Sequence, residues 1–301
     1  MPRRRPTLLA ATLLVPALWL AAAARPVAAD ERYWPPIVDP ATGEYTPGRW
    51  VWADLLTSDV ALAAEFYGQV FGWTFETYGG TDDRDTYTLA LADGLPVGGL
   101  VFDPRADRGA EQASRWIGLV SVPDPKAAAA AVTKRGGKVL MQPASLGERG
   151  VTAVLQDPEG ALFGVVRSKH GDPADYRGDV HEWLWIDLWT GDVERAVEFY
   201  GAVAGYQTTP LPANGKRQGV RLDSGGRPRA GIVRKPDGAT TTWLPYVRVT
   251  DARATTEAAR KAGGRVLMEP RPWERAVVAI VADPTGAPVG VAQLLEQEAQ
   301  P

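Results

Sequence analysis

One stretch of this chain is written twice, and that duplication limits the fold more than any other feature. Trp50 to Trp73 reads WVWADLLTSDVALAAEFYGQVFGW, and Trp183 to Tyr206 reads WLWIDLWTGDVERAVEFYGAVAGY. The match continues downstream. RWIGLVSVPD (115–124) answers TWLPYVRVTD (242–251), GGKVLMQP (136–143) answers GGRVLMEP (263–270), and DPEG (157–160) answers DPTG (283–286). A period of 126 to 133 residues is too long for a solenoid repeat and suits two successive domains.

A smaller order recurs inside each copy. Val51 to Leu56 has the pattern of a strand, and Asp59 is placed to cap a helix carrying Leu62, Phe66, Tyr67 and Val70 at helical spacing, which Gly72 ends. Three short apolar runs follow (74–78, 86–92 and 97–102), separated by turn residues such as Gly79-Gly80 and Asp93-Gly94, as antiparallel strands require. The order strand, helix, three strands then returns from Trp116 to Val166, so each domain reads as two βαβββ units. The sequence therefore divides into a leader (1–29), an irregular Pro- and aromatic-rich arm (30–49), a first domain (50–168), a polar linker (169–180), a second domain (181–295) and a tail (296–301).

The leader opens with Arg3, Arg4 and Arg5, runs apolar from Leu8 to Ala24 and closes on Val27-Ala28-Ala29, a small-residue cleavage pattern. It reads as an export signal with Asp30 as the first mature residue, and predicts a periplasmic or secreted protein with no membrane anchor after cleavage. The alternative, an uncleaved anchor, is disfavoured by Pro16 and the small-residue flank. Because the leader holds four arginines and no acid, its removal takes the net charge from −3 to −7. An acidic chain without a basic run is a poor partner for nucleic acid. Cysteine is absent, so the two domains must be held by their cores rather than by disulfides.

Four βαβββ units, the D-x-x-x-A-x-x-F-Y helix entry and the D-P-x-G turn before each domain's last strand resemble the vicinal oxygen chelate superfamily, which includes glyoxalase I, extradiol dioxygenases and bleomycin resistance proteins. The resemblance covers nearly all of residues 50–168 and 181–295 and implies an α+β fold in which paired units curve one sheet into a cup. Metal-binding members set ligands on the first and last strands of the units. Counting seven residues back from the helix-entry aspartates Asp59 and Asp192 gives Trp52 and Trp185, and the matching places in the second units are read as Trp116 and Trp243. The last-strand places carry Gly164, Gly290, Gly98 and Ala230. None of these side chains can ligate a divalent ion, and the two histidines, His170 and His181, sit at the linker edge. No metal and no other cofactor is implied.

Strand alternation puts Asp54 on the face of Trp52 and Asp187 on the face of Trp185, so each cup is expected to receive one carboxylate. Glu148-Arg149 and Glu274-Arg275 hold matching places and offer partners for it. Tyr67 and Tyr200 read as core. The expected cup lining is thus Trp52, Asp54, Trp116 and Arg149 in the first domain and Trp185, Asp187, Trp243 and Arg275 in the second. Three functions stay open: a binding protein for a small organic molecule that uses no metal; a lyase- or dioxygenase-type enzyme with a relocated metal or an Asp base; and a structural protein whose cups are filled by its own side chains. The sequence does not fix the oligomeric state.

Overall fold

The computed structural model describes residues 33–80, 82, 84–106, 114–175, 178–211, 219–273 and 275–295. The expected export signal and the tail lie outside them. The first domain runs β1 (Trp50–Thr57), α1 (Val60–Phe71), β2 (Thr74–Gly79), β3 (Thr86–Ala92), β4 (Leu95–Phe102), β5 (Arg115–Ser121), α2 (Pro125–Lys134), β6 (Lys138–Ser145), β7 (Gly150–Gln156) and β8 (Leu162–Ser168). The second repeats it as β9 (Trp183–Thr190), α3 (Val193–Ala204), β10 (Gln207–Pro210), β11 (Gly219–Ser224), β12 (Arg227–Arg234), β13 (Thr242–Val249), α4 (Ala252–Lys261), β14 (Arg265–Trp273), β15 (Ala276–Ala282) and β16 (Pro288–Leu294).

Each domain forms one eight-stranded sheet, in the orders β2-β3-β4-β1-β5-β8-β7-β6 and β10-β11-β12-β9-β13-β16-β15-β14. The two units of a domain meet at the antiparallel pairs β1–β5 and β9–β13, while each unit's first and last strands pair in parallel. This is an α+β fold of two tandem domains.

Local chemistry fixes the helix ends. The Asp59 and Asp192 carboxylates accept from Leu62 and Arg195 N–H at 2.9 and 3.1 Å, which satisfies amides that the first turn leaves open. Gly72 and Gly205 close the same helices at φ 71° and 72°, a left-handed conformation that glycine adopts without steric cost.

The helix-bearing faces of the two sheets share their cores. Phe66, Tyr67 and Phe71 of α1 pack in one buried cluster with Val247, Ala259, Val281 and Val289 of the second domain. Phe199 and Tyr200 of α3 pack with Val120, Val132, Leu155 and Phe163 of the first. Helix α1 therefore lies against α4, and α2 against α3. The paired glycines of the GGKVLM and GGRVLM motifs follow from this packing. A Cβ on Gly264 would stand 2.5 Å from the Phe66 ring, and one on Gly137 would stand 3.1 Å from Phe199.

A bulge in the first strand of each domain rotates one tryptophan out of the alternation. Register shifts between Trp50 and Trp52 and between Trp183 and Trp185 turn Trp50 and Trp183 to the helix side. There Trp50 meets Trp243 at a ring separation of 4.5 Å, and Trp183 meets Trp116 at 5.0 Å, so each domain clasps the other's indole. The opposite face of each sheet is its cup.

Candidate functional site

The first cup is closed by its own side chains. Asp54 lies on its floor, where Oδ1 accepts from Trp52 Nε1 at 2.9 Å and from the Tyr87 hydroxyl at 2.6 Å. Its Oδ2 accepts from Arg149 Nη1 at 2.8 Å. The Arg149 guanidinium is fully buried, donates to Tyr87 Oη at 2.6 Å, and lies 4.9 to 5.2 Å from the ring centres of Trp52, Tyr87 and Trp34. Burial works against the charge on Arg149, but the Asp54 carboxylate and Tyr87 outweigh it, and the pKa of the guanidinium ends raised. Burial also pushes the Tyr87 phenol well above its ordinary value; Asp54 adds to that shift and Arg149 opposes it, so Tyr87 stays a donor.

Trp34 and Ile37 of the N-terminal arm complete the plug by packing into the cluster of Trp52, Leu89, Leu119 and Val166, and Pro35 O accepts from Arg149 Nε at 3.3 Å. The arm is irregular, as its composition suggested; its role as the stopper of this cup was not legible in the sequence.

Among the described residues the second cup keeps the floor and lacks the plug. Trp185 Nε1 donates to Asp187 Oδ1 at 2.8 Å, the geometry of Trp52 and Asp54. Strand register places Gly219 where the first cup has Tyr87, because Tyr87 and Gly219 lie alike two residues before the partners of Gly99 and Gly231. Arg221 likewise stands at the place of Leu89 and Arg271 at that of Ala144, the latter two pairing with Val278 and Thr152. Arg275, the counterpart of Arg149, is exposed on the turn between β14 and β15. A cavity of about 910 Å³ extends over this cup, lined by Trp185, Asp187, Leu211, Arg221, Gly231, Val233, Tyr246, Met268, Arg271, Trp273, Val278 and Ala292. On the first domain it is bounded by Arg49, Trp50, Val51, Trp52, Ala53, Leu95, Pro96, Val97 and Gly118.

Of the expected cup residues, Trp52, Asp54 and Arg149 meet in the first cup, and Trp185 and Asp187 in the second. Arg275 is exposed on its turn, unlike the buried Arg149. Trp116 and Trp243 are corrections, since both lie on the helix-bearing face. Trp116 pairs with Leu55 and Trp243 with Leu188, one residue out of phase with Asp54 and Asp187. Trp116 and Trp243 stand eight residues before their caps, Asp124 and Asp251, and the count of seven used for Trp52 leads instead to Ile117 and Leu244. These are the partners of Asp54 and Asp187.

Gly98 and Ala230 share that phase error. A Cβ on Gly98 would meet the Trp116 ring at 3.4 Å, and Ala230 is buried with the helix-side core. Gly99 and Gly231 hold the cup-facing places. Gly164 and Gly290 do face the cups, lying beneath Leu119 and Tyr246, whose side chains a Cβ would overlap at 2.1 and 2.2 Å.

On the helix side the two tryptophans form a matched pair of buried contacts. Trp116 Nε1 donates to Tyr67 Oη at 2.8 Å, and Tyr67 donates to Asp283 Oδ2 at 3.1 Å. Trp243, Tyr200 and Asp157 repeat the arrangement at 2.8 and 3.1 Å. Each D-P-x-G aspartate thus closes its own turn, through Ala161 or Ala287 N–H, and holds a tyrosine from the other domain's helix.

Two curved sheets, each built of paired βαβββ units with a cup on one face, define the fold of the vicinal oxygen chelate superfamily. The family model for the glyoxalase-like domain matches residues 50–166 and 183–292, and the chain belongs to that family. Among curated proteins it is similar to CFP32 of Mycobacterium tuberculosis (strain CDC 1551 / Oshkosh), named as a candidate glyoxylase, at 29% identity over 82% of this chain and 95% of the relative. It is also similar to the anthracycline biosynthesis protein DnrV of Streptomyces peucetius, at 30% identity over 84% of this chain and 95% of that one. Among solved structures, the fold is shared with the Mn(II)-bound glyoxalase of Novosphingobium aromaticivorans (19% identity, TM-score 0.56, 83% of each chain). The 2,3-dioxygenase LapB of Pseudomonas sp. KL28 shares it too (13% identity, TM-score 0.57, 85% of this chain and 96% of that one).

A manganese-type site needs several oxygen or imidazole donors converging on one point. In the second cup the inward side chains on the first and last strands of the units are Trp185, Asp187, Gly231, Val233, Leu244, Tyr246, Gly290 and Ala292. These offer a single carboxylate, and among the described residues no three His, Cys, Asp or Glu side chains gather anywhere. The donor set does not fit a divalent ion.

Proposed function

We propose that this member of the glyoxalase-like family binds a small, flat, largely apolar organic molecule in its second cup without a metal, and that the first cup serves a structural role. The observation that carries the reading is the cavity of about 910 Å³ over the second cup, at the place where the first cup is filled by Tyr87, Arg149 and the arm. Its size lies within the range of small-molecule sites, and Trp185, Tyr246 and Trp273 offer aromatic surface against which a ring can stack. Relatives named for anthracycline biosynthesis support a polycyclic aromatic ligand. Export is part of the proposal, on the strength of the leader alone; N-terminal sequencing of secreted protein should begin at Asp30.

The test is equilibrium titration of the protein with a neutral tricyclic aromatic alcohol, 9-anthracenemethanol, read by tryptophan fluorescence and thermal shift. Saturable quenching that is lost in Trp185→Ala and kept in Tyr87→Phe, a buried first-cup residue outside the cavity lining, is expected. Absence of saturable binding would overturn the reading.

A further inference from the structure

Charge separates the two domains as sharply as space does. The hairpins β3–β4 and β11–β12 pair in the same register, so Leu89, Leu91, Leu95 and Val97 of the first are answered by Arg221, Asp223, Arg227 and Arg229 of the second. On the far side of the sheet Ala144 is answered by Arg271. An apolar wall has become a basic one, and Arg221, Arg227, Arg229 and Arg271 all line the cavity of about 910 Å³.

The acids nearby orient these arginines without matching them in number. Asp223 accepts from Arg221 Nε at 2.7 Å and from its Nη2 at 3.3 Å. Asp175 accepts from Arg229 Nη1 at 2.8 Å and from its Nη2 at 3.0 Å, and Arg227 Nη1 lies 3.4 Å from the same carboxylate. Three guanidiniums of β11 and β12 therefore share two carboxylates, while Arg271 is exposed and forms no ion pair among the described residues. A guanidinium carries five N–H donors, and a bidentate carboxylate takes two of them and fixes its plane, which leaves the others aimed for a second anion. The lining as a whole holds five arginines against three acids, Asp175, Glu182 and Asp187.

We infer that the ligand of the second cup is an organic anion, a flat ring system whose carboxylate is held by Arg221, Arg227 and Arg271. The inference rests on the reading of that cup as a binding site for a flat organic molecule and adds the charge of the ligand to it. The ring system covers the apolar lining of Tyr246, Met268 and Val278, and its carboxylate meets the arginines.

Three probes of one shape separate the possibilities at neutral pH: anthracene-9-carboxylate, an anion; 9-anthracenemethanol, neutral; and 9-(aminomethyl)anthracene, a cation. Wild-type protein should bind the anion about tenfold more tightly than the alcohol and the cation most weakly. Raising the salt should weaken the anion and leave the alcohol unchanged. The double variant Arg221→Leu, Arg271→Ala carries the residues that the first domain has at these places, and should bring the ratio of anion to alcohol affinity near one. Equal binding of anion and alcohol by the wild type, tightest binding of the cation, or an anion preference that survives the double variant would overturn the inference and leave the organic-ligand reading in place. Failure of all three probes to bind would overturn both. The wild-type series and its salt dependence decide the matter even where the variant does not fold.

Discussion

The two cups are copies that diverge at their centres and agree on their backs. On the helix side, Trp116–Tyr67–Asp283 and Trp243–Tyr200–Asp157 share the same hydrogen-bond lengths, 2.8 and 3.1 Å. On the cup side, Tyr87 gives way to Gly219, Leu89 to Arg221, Ala144 to Arg271 and Leu119 to Tyr246. The backs hold the two domains together and tolerate little change. The cups need only remain stable as sheets, so one can be packed solid while the other stays open. A closed cup of this sort contributes stability, and an open one leaves room for the proposed ligand.

The sharpest way to break the comparison is to remove the matched arginines. Arg149→Ala leaves Asp54 buried beside Tyr87 with no cation, and should cost about 3–5 kcal/mol, lowering the melting temperature by roughly 10 °C. Arg275→Ala, at an exposed position, should stay within about 0.5 kcal/mol of wild type. Comparable losses from both would show that the second cup is filled in the same way as the first.

A smaller difference is expected at the glycines beneath each floor. A Cβ at residue 99 would lie 1.8 Å from Tyr87 Oη, inside the buried network, and one at residue 231 would lie 2.2 Å from Asp187 Oδ1, beside the cavity. Gly99→Ala should therefore cost about 2–3 kcal/mol, and Gly231→Ala about 1 kcal/mol, because Gly231 and Asp187 border the cavity whereas Gly99 and Tyr87 do not. Chemical denaturation of the two variants checks the order.

The smallest effect concerns the backs, where the copies should behave alike. Burial raises the carboxyls of Asp157 and Asp283 above the ordinary Asp range, although turn amides and a tyrosine hydroxyl oppose the shift. A carboxyl whose pKa is raised by folding adds stability that is complete below its unfolded pKa of about 4 and is lost as pH rises through the folded value. Asp157→Asn and Asp283→Asn should each remove part of that decline, and by equal amounts. Melting temperatures measured from pH 4 upward give the result; a slope change in one variant alone would break the symmetry of the backs.

The fold was legible because the periodicities and caps are written several times over. Asp59, Asp192 and the glycines after each helix have one structural explanation wherever they occur. The cup floors followed from alternation, as Trp52 with Asp54 and Trp185 with Asp187 show. Alternation failed where a single residue shifted the phase: Trp116 and Trp243, eight residues before their caps, were assigned to the cups and lie under the helices. Counting seven from Asp124 and Asp251 would have found Ile117 and Leu244. The closure of the first cup depends on Trp34, Ile37 and Tyr87 arriving from separate elements, and local pattern carries no record of such a meeting. Neither did it reveal Arg221 and Arg271, which become cavity residues only once the strand register is known.

The account stands on the second cup being open while the first is closed, and the binding stoichiometry of the neutral probe tests this most directly. Isothermal titration with 9-anthracenemethanol should give one site per chain, abolished by Trp185→Ala and unaffected by Tyr87→Phe, at a buried first-cup residue outside the cavity lining. Two sites per chain, or a single site that survives Trp185→Ala and disappears with Tyr87→Phe, would contradict it.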